Sequence, residues 1–171
     1  MKIFRLILLV SLSISSLPAK NVPTPVMAVS FAMNRDPKKW VGQISAAEEL
    51  YIIFEFVPAG ESVNAWKEMV EQQIGFTPAS LRDYVDVWKK GMLRSDSKLI
   101  INEQMEKDGS LIAAYASAVG QEIGVRRFIK GKDGIYMLSY MVRPKYRDDA
   151  RLKIWMDIIY SATLVSNPQR R

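Results

Sequence analysis

Neither cysteine nor histidine occurs among the 171 residues. Without cysteine the chain can form no disulfide, carry no thiolate nucleophile and take no lipid at a mature N-terminal cysteine. Without histidine the serine–histidine and cysteine–histidine nucleophilic arrangements fall away, and the usual zinc sites go with the two missing types. No glycine-rich phosphate loop, internal repeat or long biased tract is visible. The chemistry that remains belongs to carboxylates, hydroxyls and basic side chains, so binding is the expected class of function and catalysis the weaker one. No cofactor is expected.

What is present begins with an export signal. Lys2 and Arg5 precede an apolar stretch from Leu6 to Val10 that continues through Leu12, Ile14 and Leu17, the layout of a signal peptide. Its apolar core is shorter than the ~20 residues that span a bilayer, and four interspersed serines dilute its far end. Pro18 and Ala19 place the cut after Ala19, with no transmembrane segment expected after cleavage and a periplasmic or secreted, soluble product. Removing residues 1–19 takes two of the 24 basic residues and none of the 18 acidic ones. The balance stays mildly basic.

Residues 20–39, with Pro23, Pro25 and Pro37, read as an extended leader. A single domain is expected over 40–166 and a frayed basic tail over 167–171, with core burial standing in for disulfides. Residues 50–57 are apolar on both faces except at Glu55, which predicts a central strand covered above and below. Ser62 then reads as a helix cap, with Val63, Trp66, Met69, Val70 and Ile74 at helical spacing. Thr77-Pro78 starts a second helix with its stripe at Leu81, Tyr84, Val85, Trp88 and Met92. From 98 to 143 the pattern becomes four strands, 98–107, 110–119, 123–131 and 135–143, separated by glycine-containing turns. The last of these should be central and the first more exposed. A deeply packed helix over about 147–162, carrying Leu152, Trp155, Met156 and Ile159, closes the domain.

The segment from Glu55 to Met69, a strand ending in Pro58-Ala59-Gly60 and then Trp66, resembles exported bacterial relatives of the PsbP-like superfamily. Tyr136–Val142 followed by the Trp155 helix is similar to that family's closing strand and helix. The resemblance implies an α/β fold of the α+β type: an antiparallel sheet of about five to six strands with helices on both faces, a PsbP-like α/β/α sandwich. Members serve as extrinsic photosystem subunits, partners of small GTPases and exported proteins of unknown role, so the fold carries little function by itself. Trp66 would pin the first helix to the sheet.

Glu55, near Glu103, is the one carboxylate pair that suggests acid–base chemistry and a hydrolase; against it stands an ion pair of Glu55 with Arg127 or Arg143. Asp83 with Asp86 and Asp148 with Asp149 lack the glycine-containing loop of a calcium site. Basic residues cluster three times: Lys89, Lys90 and Arg94; Arg126, Arg127, Lys130 and Lys132; and Arg143, Lys145 and Arg147. One basic face would attract acidic lipid headgroups of the phosphoinositide kind or lipopolysaccharide, although Arg126 and Arg127 must point to opposite faces of a strand. Export and the lack of a recognition motif speak against nucleic acid. Trp40, outside any stripe, is a candidate partner contact. The expected function is an exported, non-enzymatic module that contacts a protein or envelope partner. Neither the partner nor the oligomeric state is legible.

Overall fold

The computed structural model describes residues 22–167, so the expected signal peptide over 1–19, the first two residues of the expected leader and most of the expected tail (168–171) lie outside the described residues. Nine strands and two α-helices run in the order β1 (Met27–Ser30), β2 (Trp40–Ala47), β3 (Tyr51–Pro58), β4 (Glu68–Gly75), α1 (Leu81–Ser95), β5 (Ile100–Met105), β6 (Leu111–Ser117), β7 (Glu122–Lys130), β8 (Ile135–Val142), α2 (Asp149–Ser161) and β9 (Thr163–Ser166). Seven of the strands form one antiparallel sheet in the order β2-β3-β4-β8-β7-β6-β5, and β1 pairs with β9 in a separate ribbon. The main sheet therefore exceeds the expected five to six strands. Strand β8, every residue of it buried, is the middle one, while β5 is an exposed edge, both as the pattern predicts.

The segment after Ser62 departs from expectation. Residues 62–66 form turns, with Ala65 N–H donating to the Ser62 carbonyl at 2.9 Å, and 68–75 is a strand. A spacing of four, as between Val70 and Ile74, puts two side chains on one face of a helix and equally on one face of a strand. The partners decide: Val70 lies opposite both Phe56 of β3 and Tyr140 of β8, and Ile74 opposite Ile52 and Tyr136. With β4 inserted there, β3 stands one place in from the edge strand β2, not at the centre. Strand β2 was not anticipated, although Trp40, Gly42 and Ile44 alternate with the exposed Val41, Gln43 and Ser45.

The even-numbered side chains of β8 and the odd-numbered ones face different helices. Tyr136, Leu138, Tyr140 and Val142 pack with Phe56, Val70 and Ile74 against Trp155, Ile158 and Ile159 of α2. Met27, Phe31, Met33, Trp40 and Leu164 complete that layer, so the leader and the segment after α2 are part of the fold, in contrast to the expected start near Trp40. Met156, expected in the α2 stripe, is exposed. On the other face Ile135 and Met137 meet Val85, Leu81, Tyr84 and Trp88 of α1 beside Leu111, Ala113 and Phe128. Helix α1 begins later than Thr77-Pro78: Ser80 is the N-cap, its Oγ accepting from the Asp83 N–H at 3.1 Å. Asp148 caps α2 in the same way at 3.1 Å. Of the expected turn glycines only Gly109 takes a positive φ, at +79°; in the β6–β7 turn the left-handed residue is Gln121 at 49°.

Cover on the α1 face is incomplete. The helix lies over β7 and its neighbours, whereas Val41, Gln43 and Ser45 of β2 and Tyr51 of β3 are exposed on that side. No helix among the described residues is long and apolar enough to cross a membrane.

Candidate functional site

The basic residues singled out in the sequence do not gather into one face. Lys89 pairs with Glu103, and Lys130 Nζ donates to the carbonyls of Thr77 at 3.2 Å and Ala79 at 2.7 Å. Lys90, Arg94 and Lys132 are exposed. Arg126 and Arg127 do point to opposite faces, and both are buried, 8% and 4% exposed. They offer nothing to a partner at the surface. Arg127 donates to the carbonyls of Ile159, at 3.2 Å, and Tyr160 at the end of α2, to Ser110 Oγ at 3.1 Å and to Asp108 at 2.5 Å. It caps the last turn of α2, adding to the bond that the Ile159 carbonyl takes from Ala162 N–H at 3.2 Å. Trp40 lies partly buried, its ring edge-on to Trp155 at 5.3 Å. It is a packing residue of the α2 layer.

Glu55 and Glu103 are not brought together. They occupy β3 and β5, with four strands between, a separation of about 24 Å at ~4.8 Å per strand. Glu55 accepts from Ser45 Oγ and has neither Arg127 nor Arg143 as partner. The bonds from Lys89 and Arg82 hold the Glu103 carboxyl below its usual pKa. Among the described residues no group of acidic side chains has the arrangement of a metal site; Asp83 and Asp148 serve at helix N-termini, and Asp149 accepts from Arg147.

Two of the third basic group, Arg143 and Lys145, meet Lys67, a lysine that sequence reading passed over, in one cleft; Arg147 pairs with Asp149 instead. The turn before β4, the β6–β7 turn and the residues after β8 enclose a cleft of ≈ 590 Å³. Backbone pairing sets its walls: Arg143 N–H donates to the Lys67 carbonyl at 2.8 Å, and Arg143 reaches the Gly120 carbonyl. Pro144 opens a 3₁₀ turn that delivers Lys145 and Tyr146 to the rim. The Arg143 guanidinium lies over the Trp66 ring at 4.1 Å, and the ammonium groups of Lys67 and Lys145 stand 5.6 and 5.7 Å from the Tyr146 ring centre. Such cation–ring contacts orient the charges at low entropic cost. No acidic residue lines the cleft; Glu61 lies behind it, taking the Lys67 N–H at 2.9 Å. Three cations and two aromatic faces make a surface that can receive an acidic group. The signal in the sequence was the Arg143-x-Lys145 spacing. Trp66-Lys67 was hidden by being read as helix.

Two polar clusters lie deeper. On the α2 face Glu68 accepts from Lys38, from Tyr140 OH at 2.8 Å and from Arg151 Nε at 2.6 Å. Arg151 also grips both oxygens of Asp36, at 2.9 and 2.7 Å, and Trp155 Nε1 donates to Asp36 at 2.6 Å. Burial and the adjacent Glu68 raise the Tyr140 phenol far above its ordinary pKa. On the α1 face the register aligns Glu55, Glu71, Ser139 and Arg126 in one row across β3, β4, β8 and β7.

Compared with protein-family models, curated proteins and solved structures, the chain shows no significant match to any of them.

Proposed function

We propose that the chain is an exported, non-enzymatic binding module that receives an acidic group of a protein or envelope partner in the Trp66–Arg143–Tyr146 cleft. One observation carries this reading: Lys67, Arg143 and Lys145 are held around a concave surface with aromatic walls and no carboxylate in its lining. Glu61 stands behind the wall and offsets part of one charge, its carboxylate 3.8 Å from Lys67 Nζ; three cations against one carboxylate leave a net positive surface, which raises the local concentration of anions and speeds their capture. Export rests on the Lys2–Ala19 signal pattern. The PsbP-like α/β/α sandwich is retained as a proposal for the fold, supported by a helix on each face of an antiparallel sheet. The helix that the resemblance implies after Gly60 is absent, and strand β4 takes its place.

An acidic lipid headgroup is a second reading, favoured by the exposure of Lys67, Lys145 and Tyr146 together at one end of the molecule, the side chains that meet a membrane surface well. A titration of the mature protein with a hexaglutamate peptide, followed by tryptophan fluorescence, tests the first reading. A saturable, salt-sensitive change that disappears in a Lys67→Ala/Lys145→Ala variant is expected. No change in the parent protein would sink it, and flotation with phosphatidylglycerol vesicles in its place would favour the lipid. Sequencing the N-terminus of material recovered outside the cytoplasm should begin at Lys20.

A further inference from the structure

The row across the α1 face holds buried polar atoms without partners. Arg126 is 8% exposed and, among the described residues, has no carboxylate within ion-pair distance; Glu71 and Glu122 act on it only from farther away. Its terminal nitrogens reach the Met137 and Met141 sulfurs at 3.8 and 3.5 Å. Its flat faces meet the rings of Trp88 at 5.3 Å and Tyr115 at 5.1 Å. Gly124 makes room for this: a Cβ there would stand 2.5 Å from the Tyr115 ring. Nε of Arg126 has no acceptor, and neither does Trp88 Nε1.

Met137 and Met141 flank Ser139 by two residues on the same face of β8, so the guanidinium spans the Ser139 position. Ser139 Oγ is wholly buried and also without a partner. On its other side stands Glu71, directly opposite Ser139 on β4. Thioethers are weak acceptors and ring faces supply no formal negative charge. A guanidinium in such a setting lacks the charged acceptor that its burial calls for, and unsatisfied buried groups of this kind mark functional positions or bound species. The row continues from Glu71 to Glu55, towards the part of the sheet where Gln43 and Ser45 of β2 are exposed.

We propose that the position over Ser139, between Arg126 and Glu71, binds the carboxylate group of a small ligand. Arg126 supplies charge and donors, and Ser139 Oγ a further donor. The neutral form of Glu71 hydrogen-bonds the ligand's oxygen as one acid does another. A single guanidinium balances one negative charge, which suits a carboxylate better than a phosphate dianion. The site lies on the same face as the cleft proposed above and is separated from it by Met141 and Tyr115; it does not depend on that reading.

Burial raises the pKa of Glu71, with Arg126 opposing and Glu55 and Glu122 adding to the rise. The other titratable groups facing it are Tyr115 of β6 and Tyr84 of α1, whose phenols are raised by burial and stay neutral. Glu71 is therefore the group that sets the pH response. It loses its proton as pH rises through its raised pKa, so carboxylate binding weakens in that direction.

The test follows the Arg126 Nε–H signal by ¹⁵N NMR while sodium acetate or succinate is added at constant ionic strength, with chloride and phosphate as controls. Between about pH 6 and 8 these carboxylates remain largely ionised. A saturable shift with the carboxylates alone is expected, its affinity falling as pH is raised through the Glu71 titration. Ser139→Val should reduce the affinity at least tenfold, and Glu71→Gln should bind with little pH dependence. Absence of a saturable shift, an equal response to phosphate, or an unchanged affinity in Ser139→Val would overturn the proposal. Should Ser139→Val not fold, the wild-type titration and the flat pH profile of Glu71→Gln decide the matter in the same way. The cleft variant Lys67→Ala/Lys145→Ala should respond to acetate as wild type does.

Discussion

Arg151 and Arg126 lie on opposite faces of one sheet, each associated with a helix, and their surroundings differ in kind. Arg151 is held by two carboxylates, Glu68 and Asp36, which are in turn satisfied by Lys38, Tyr140 and Trp155. That network ties the leader, β4, β8 and α2 together, and the tryptophan at its centre stacks on Tyr140 at 4.9 Å. Arg126 is held by sulfurs and rings, with an unpaired serine beside it. Arg126 is buried and the Arg151 side chain is 15% exposed, but only the Arg151 network is internally complete. A complete network fixes structure; an incomplete one leaves free energy that a bound anion can recover. The α2 face thus fastens the fold, and both sites proposed above lie on the half-covered α1 face.

Substitutions can break this contrast. Trp155→Ala should cost the most, about 3–5 kcal/mol in denaturant melts, because a fully buried indole and its bond to Asp36 are lost together. Arg151→Met should cost about 3 kcal/mol, since it strands Glu68 and Asp36 without their cation. Arg126→Met, the same change on the other face, should leave stability unchanged or raise it, because no buried carboxylate loses a partner. Similar losses in the two methionine variants would erase the distinction. Ser80→Ala should lower stability by about 1 kcal/mol through the lost cap of α1.

Glu71→Gln should act in the opposite direction and by less. Folding raises the carboxyl pKa, so the folded state holds its proton to higher pH than the unfolded chain does. Stability consequently falls as pH rises from the unfolded value towards the folded one, and the penalty is complete above it. The glutamine variant should therefore be the more stable at pH 7 and show no such advantage below the unfolded value. Melts at the two pH values check this. Smallest of all, Lys67→Ala and Lys145→Ala should move stability by under about 0.5 kcal/mol, since both side chains are exposed.

The α2 layer and the meander were largely legible because their apolar patterns exceed what a single face needs. Ile135–Val142 is apolar on both sides and became the middle strand; the polar run of Asn102, Glu103, Gln104 and Glu106 marked the edge. Residues 62–75 misled because spacings of four fit helix and strand alike, and only the neighbours β3 and β8 settle the choice. The ribbon of β1 with β9 was invisible for another reason: four-residue strands carry too little pattern to read, and their partners lie at opposite ends of the domain. Site residues followed the same division. Arg126 and Arg127 read as a surface pair because charge predicts exposure, yet each is buried by partners far away in sequence. The cleft depends on Trp66-Lys67 meeting Arg143 and Lys145, a contact across more than seventy residues that β4–β8 pairing creates.

The division of labour between the two faces is tested most directly by a ¹H–¹⁵N shift map of the whole protein with hexaglutamate and acetate added in separate experiments. Shifts confined to Trp66, Gln121 and Arg143–Tyr146 for the peptide, and to Ser139 and the Arg126 Nε–H for acetate, are expected, with the Asp36–Glu68–Arg151 network silent. Shifts centred on that network, or spread evenly over the exposed lysines, would contradict it.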